Sequence, residues 1–377
     1  MNVIKEGEET RMKKINAFNI VVLATFLLFA TALSAGSVDL GFEPRPIPLG
    51  TSGGNIKDSS RSFCCSGTLG SLVEDDHGVQ YILSNNHVLA RTNRAIIGEK
   101  IIQPGLIDQD PGCFKDLADA VANFSDFVAI SFRRNVPNRI DAAIAQVRAG
   151  QVDPSGSILN IGEISNVTAA PFIGMVVKKN GRTTDMTTGT VTAIDVTVTI
   201  QYDRQCGIPS LPQVAIFTGQ MMIEPAAFSD AGDSGSLVVE DCSSHPRPVG
   251  LLFAGSGSNT LANPIGDVLS GLGVSMVGTN DFCSASSTGS LPMAGQPIPA
   301  ASLDVENAIR VKRLHEQDVL KTTGVVGIGV GRSDTEPGRA VIEVYVKKPA
   351  HAVKPLIPEM MEDVQVNIVE TGVFRAY

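Results

Sequence analysis

The sequence predicts a mainly β protein, an antiparallel sandwich or barrel, with a small α+β segment behind it. Three observations point there. Between residues 66 and about 276 the chain repeats short apolar runs broken by Gly, Asn, Asp and Pro, at 67–73, 79–84, 142–147, 175–179, 188–200, 236–240 and 249–254. The 37 Gly and 21 Pro among 377 residues favour many turns over long helices. Past residue 303 the rhythm changes to one helical stripe and three strand-like runs, and the length is enough for two barrel-sized units or two domains.

Residues 1–35 read as a secretory signal peptide. Lys13 and Lys14 precede an apolar run, 20–33, that gives way to the small residues Ser34, Ala35 and Gly36. A membrane span needs about 20 residues, so the run is short for an anchor, which is the competing reading. Charges at 6–11 are unusual before such a run, and Met12 makes the more natural start. Residues 36–63 are a lead-in, 64–280 the β domain, and 281–303 a linker dominated by Ser, Ala, Gly and Pro. Residues 304–377 form the α+β domain. In it Asp304 caps a helix to about Leu320, with Val305, Ala308, Ile309, Val319 and Leu320 on one side and Lys312 and Glu316 interrupting the stripe. Strand-like runs at 325–330, 340–346 and 364–369 follow, with a Pro-rich connection at 349–358. Gly327-Ile-Gly-Val-Gly331 lacks the spacing of a dinucleotide or P-loop fingerprint and reads as a glycine-rich strand packed closely under the helix.

Charge narrows the function. Thirty Lys and Arg against 39 Asp and Glu leave a net charge of -9, which disfavours a nucleic-acid partner because phosphate binding needs clustered cations. Cys64, Cys65, Cys113, Cys206, Cys242 and Cys283 follow no zinc spacing. Neither metal nor cofactor is expected. In an exported chain these thiols meet an oxidising compartment and favour disulfides, with connectivity left open. The expected location is secreted, periplasmic or at the cell envelope, with no stable membrane span once the signal is removed.

Among the five His, only His87 is delivered by a strand end, through Ser84-Asn85-Asn86 after the apolar Tyr81-Ile82-Leu83. Ser234 lies in Gly232-Asp-Ser-Gly-Ser236, whose glycines permit a tight turn aiming the N–H groups of Gly232 and Ser234 at one point, as a developing oxyanion requires. Residue 236 is Ser, so the G-x-S-x-G elbow of α/β-hydrolases is not met. Asp141 heads the apolar run after Arg139-Ile140. Singly these residues read as a core histidine, a turn serine and a strand cap; jointly, in the order His, Asp, Ser, they point to nucleophilic catalysis.

Ser84-Asn-Asn-His87-Val-Leu, Ile140-Asp141-Ala-Ala and Gly232-Asp-Ser234-Gly resemble the three signatures of trypsin-like serine peptidases, in that family's order. The segments 179–191 and 250–256 look like its second-barrel elements, and the overall pattern is similar to the narrow-leaf-1-like peptidases of bacteria and plants. The resemblance implies a double six-stranded antiparallel β-barrel of the chymotrypsin type. It also implies Ser234 as nucleophile, His87 as general base then acid, Asp141 as its orienting carboxylate, and the N–H groups of Gly232 and Ser234 as the oxyanion hole. The strand with Phe253, Ala254 and Gly255 would pair with substrate backbone, Phe253 and Gly255 bordering the primary pocket. Six residues before the nucleophile, where trypsin-like members carry a pocket-floor acid, stands Phe228, so a pocket for uncharged residues is expected. No activation segment is visible, and Asp233, the residue before the nucleophile, needs a partner other than a new N-terminus.

Three functions compete on this reading. The first is a secreted serine endopeptidase acting on peptides or proteins through an acyl-enzyme. The second is a catalytically weak or inactive fold serving as a protein-binding or scaffolding module, its cleft shut by a loop such as 109–126. The third is a cleft that hydrolyses esters or cuts only the chain's own linker.

Overall fold

The computed structural model describes residues 41–208, 212–283 and 302–377, apart from 334, 337 and 348. The signal peptide expected at 1–35 lies outside the described residues, as does the expected linker from 284 to 301. No helix among the described residues is long and apolar enough to cross a membrane.

The first barrel is built from β1 (Thr51–Asn55), β2 (Gly67–Leu69), β3 (Ser71–Glu74), β4 (Gln80–Ser84), β5 (Lys100–Ile102), β6 (Ala120–Phe127) and β7 (Ala143–Val147), with the one-turn helix α1 (Asn86–Leu89) after β4. The pairing order is β3-β4-β7-β6-β5-β1-β2, all antiparallel. Only Gly70 separates β2 from β3, so the two are one bent strand and the ring closes on six. Gly70 permits a close backbone approach at that bend, because any Cβ there would meet the carbonyl oxygen of Gly235. Inward residues such as Leu72, Ile82, Phe124 and Ile144 fill the core, each contributing about 1.5–3 kcal/mol by burial.

The second barrel contains β8 (Val176–Gly181), β9 (Asp185–Tyr202), β10 (Gln213–Glu224), β11 (Leu237–Glu240), β12 (Pro248–Gly255) and β13 (Thr260–Pro264). These pair in the order β10-β13-β12-β11-β8-β9, and β9 with β10 completes the ring. The double six-stranded arrangement implied by the sequence is therefore the fold. Helix α2 (Ile265–Leu272) and β14 (Ser275–Met276) lead back to the first barrel, where Ser275 and Met276 pair with Glu74 and Val73.

The remaining elements are α3 (Ser302–Leu320), β15 (Val325–Arg332), β16 (Ala340–Val346), α4 (Ala350–Val353), β17 (Met360–Met361), β18 (Val364–Glu370) and β19 (Phe374–Ala376). Strand β15 adds to the free edge of β9, with Gly327 opposite Val198 and Ile328 opposite Thr197. Ala308, Val311 and Val319 of α3 pack with Ile328, Val330, Ile342 and Val344. The strand does lie under the helix, but through Ile328 and Val330. Its glycines face the other way: a Cβ on Gly327 or Gly329 would crowd the Tyr345 ring, which lies over them from β16. The interruption of the helix stripe also finds its reason. Lys312 is buried, and its ammonium reaches Thr197 Oγ1 at 3.0 Å, Asp195 Oδ2 at 3.2 Å and Glu316 Oε2 at 2.9 Å. A charge in the apolar stripe thus ties the helix to β9.

Cys64 is joined to Cys113, Cys65 to Cys206 and Cys242 to Cys283. The second of these links the first barrel to the β9–β10 connection of the second.

Candidate active site

Strand β4 ends at Ser84, and each of the three residues before His87 is tied down by its side chain. Ser84 Oγ donates to Thr68 O at 2.7 Å, Asn85 Nδ2 to Asp141 O at 2.7 Å, and Asn86 Nδ2 to Val128 O at 2.7 Å. His87 then opens its ring toward the seam between the barrels. Its Nδ1 lies 2.7 Å from Asp141 Oδ2 and its backbone N–H donates to Asp141 Oδ1 at 3.2 Å. The fully buried Asp141 is held in turn by the Tyr202 hydroxyl, which donates to Oδ2 at 2.8 Å, and by Asn263 Oδ1, which accepts its N–H at 3.0 Å.

Ser234 reaches the same seam from the second barrel, in the turn before β11. The first barrel grips that turn: Thr68 N–H donates to Ser234 O at 2.8 Å and Thr68 Oγ1 to Gly232 O at 3.0 Å. Gly232 and Gly235 have φ of +103° and +94°, conformations that the two glycines make accessible. Ser234 Oγ donates to Phe253 O at 3.2 Å, and no hydrogen bond joins it to His87 among the described residues. The N–H groups of Gly232 and Ser234 likewise have no partner among the described residues, whereas those of Asp233 and Gly235 bond Asp230 O and Leu252 O.

Asp233 finds the partner that the sequence left unnamed. It and Lys179 are both fully buried, with Lys179 Nζ 3.6 Å from Oδ2. The carboxylate also accepts from Thr183 N at 2.7 Å, Thr184 N at 3.2 Å, Thr184 Oγ1 at 2.7 Å and Asp230 N at 2.9 Å. Burial pulls the Lys179 pKa down, against the opposing pull of Asp233. Two sequence signals were available here. Lys179 occupies an inward position after Met175 and Val177, and Tyr202 continues the inward alternation of Val196, Val198 and Ile200. A polar group in such a register marks a buried partner.

The predicted substrate residues separate. Phe228 is buried in the second-barrel core, its ring 5.9 Å from Lys179 Nζ. Phe253 sends its ring into the core against Phe217, 5.0 Å between centroids, so it meets the seam only through its carbonyl. The register of β12 against β13 shifts between Leu252 and Ala254, and at that irregularity Phe253 and Ala254 both join one core cluster. Ala254 and Gly255 do pair with a strand, and it is the chain's own: Ala254 opposes Ala376 and Gly255 opposes Arg375 in antiparallel register. The next residue, Tyr377, places its carbonyl oxygen 2.9 Å from His87 Nε2. Segment 109–126, offered by the sequence as a closing loop, supplies no wall of the cleft beside His87. That cleft, about 240 Å³, is bordered by His87, Gly232, Arg182, the Cys65–Cys206 bridge and Tyr377.

Burial opposes a charged His87, but the Asp141 charge and hydrogen bond, the Tyr377 carbonyl and the Asp58 charge outweigh it, so the pKa rises. Asp58, beside the same cleft, is pushed up to about 6 by burial, opposed by Arg94, Arg91 and His87. A carboxyl whose folded pKa exceeds its unfolded value stabilises most below the unfolded pKa and loses that contribution as pH rises through about 6. Asp58→Asn should therefore gain stability relative to wild type between pH 4 and pH 7, by about 1–3 kcal/mol, read from denaturation midpoints at the two pH values.

A model of the Nal1 C-terminal domain matches residues 60–263. The chain belongs to the Nal1 C-terminal domain family. The matched residues span His87, Asp141 and Ser234, whereas Asp58 and Tyr377, which border the same cleft, lie outside them. A search of the curated proteins found no match. Among solved structures, the chain is similar to a glutamic acid specific serine protease described as using a novel histidine triad in substrate binding. The two are 20% identical at TM-score 0.41, over 61% of this chain and 100% of that one. Nocardiopsis protease is 17% identical at TM-score 0.39, over 61% and 98%, and Cellulomonas bogoriensis chymotrypsin 18% identical at 0.39, over 62% and 99%.

Proposed function

We propose that the protein is a serine endopeptidase in which Ser234 attacks the scissile carbonyl. The observation that carries this reading is the convergence at one seam of a carboxylate-bound imidazole, a serine on a glycine turn, and two N–H groups without partners among the described residues. Attack moves the Ser234 hydroxyl proton to His87 Nε2 while Asp141 holds Nδ1–H, and the imidazolium then returns the proton to the leaving amine. The N–H groups of Gly232 and Ser234 stabilise the oxyanion. Water repeats the cycle on the acyl-enzyme. Three disulfides fit folding in an oxidising compartment, in keeping with export.

One observation favours a second reading, a protein-binding module with a closed cleft: Tyr377 and Phe253 take the hydrogen bonds that His87 and Ser234 would offer each other. Labelling with a fluorophosphonate probe, read by intact mass, separates the two. Wild type is expected to gain one label, and Ser234→Ala and His87→Ala none. A folded protein unlabelled both as the full chain and after removal of residues 375–377 would overturn the peptidase reading.

A further inference from the structure

Resting on the peptidase reading, we infer that the primary pocket selects a tyrosine at the residue before the scissile bond, and that segment 374–377 is an intramolecular competitor for it. The backbone of the segment lies where a substrate strand would, antiparallel on β12, and on its other side Phe374 and Arg375 pair with Ile200 and Gln201 of β9. Phe374 anchors it, fully buried with its ring edge-on to Tyr345. The Tyr377 ring packs on the core cluster that contains Phe228 and Leu252. Its hydroxyl comes so close to Gly255 that a Cβ on that residue would collide with it. The Ser229 hydroxyl, 2.5 Å from Thr260 Oγ1, and the charges of Asp230 and Asp233 supply the polar surroundings of that hydroxyl. An apolar sleeve with a polar group at its end, floored by glycine, is shaped for a phenol, and no pocket-floor acid replaces Phe228.

Protonation couples to docking. With Nδ1–H given to Asp141 and the Tyr377 carbonyl accepting from Nε2, both ring nitrogens carry protons, so the docked segment holds the imidazolium. The same ring faces the Asp58 charge, backed by Arg91 and Arg94, and the edge of Tyr202 at 5.9 Å. A neutral His87 would instead turn a lone pair toward the carbonyl. Docking is thus favoured at low pH and weakens as pH rises through the raised His87 pKa, the same change that frees the base.

Tethering sets a local concentration on the order of millimolar, so a tetrapeptide of Kd near 0.1 mM would occupy the site roughly nine-tenths of the time. Removing residues 375–377, with Phe374 kept in its core, is expected to raise kcat/KM on a tetrapeptidyl-tyrosine anilide about tenfold or more. Tyr377→Asp, which keeps the full chain, should do the same. Fluorescein-labelled Arg-Ala-Tyr, followed by polarisation on the trimmed Ser234→Ala protein, should bind more weakly as pH rises. It should fail to bind when its tyrosine is replaced by Glu or when Gly255 is changed to Val. Fluorophosphonate labelling at Ser234 with no gain from either tail variant, or with a stronger preference for another residue, would overturn the inference and leave the peptidase standing. Absent labelling with tyrosine-dependent peptide binding would overturn the peptidase reading, and with it selection at a scissile bond, and leave segment 374–377 as the occupant of a tyrosine-binding pocket. Absent binding would overturn the inference whatever the labelling.

Discussion

Asp141→Asn is expected to lower kcat by roughly 1,000- to 10,000-fold while leaving the fold intact, on the reading that His87 is the general base. The buried carboxylate accepts from three donors: His87 Nδ1 and the Tyr202 hydroxyl at Oδ2, and the His87 backbone N–H at Oδ1. An amide of the same shape has one accepting end. Turned toward the ring with its NH₂, it leaves the proton of neutral His87 on Nε2, where it blocks proton transfer from Ser234. Turned the other way, its NH₂ opposes the His87 backbone N–H and pushes α1 out of place. Asp141 has no exposed surface, so bulk solvent does not relieve either arrangement. Single-turnover labelling by a fluorophosphonate should slow in step with kcat. An unchanged labelling rate would remove Asp141 from the chemistry.

The second large effect is expected at Asp233, where the Asn variant should lose about 3–5 kcal/mol of stability and also react with the probe roughly a hundredfold more slowly. The stability loss follows from the buried Lys179 ammonium left without its counter-charge. The kinetic loss follows from position, since Gly232 and Ser234, whose N–H groups would hold the oxyanion on the peptidase reading, flank Asp233 on either side. Lys179→Met is the informative comparison. It leaves Asp233 its donors from Thr183, Thr184 and Asp230, so it should be milder on both readouts. Denaturant titration and labelling rates measure the two effects separately. Equal losses in the two variants would show that the ion pair, and not the cradle around the carboxylate, organises the turn.

Local chemistry explains how much the sequence disclosed. Strand runs and the glycine turn are written in short stretches, and so is the delivery of His87 by Ser84-Asn85-Asn86, because each depends on neighbours in the chain. Closure of the barrels depends on distant pairs, such as Gly70 against Gly235 and β9 against β10, which no local pattern records. Phe253 illustrates the difference. Its place on β12 is legible, but the direction of its ring depends on a register shift between Leu252 and Ala254 that only the pairing with β13 reveals. Lys179 and Tyr202 were visible as polar residues in inward positions, yet their partners, Asp233 and Asp141, lie 54 and 61 residues away. The glycines of β15 are legible as a strand feature, but the neighbour they face is Tyr345 of β16 and not the helix.

The hydrogen bonds between β15 and β9, with the Lys312 ammonium lodged against Asp195 and Thr197, have a calorimetric consequence. The segment with α3 and the second barrel share one continuous sheet, so neither can melt without exposing the backbone groups and the buried ammonium that the other covers. Heating should therefore give one endotherm for both. A protease nick within 284–301 should yield two fragments that stay together through gel filtration and part only in denaturant.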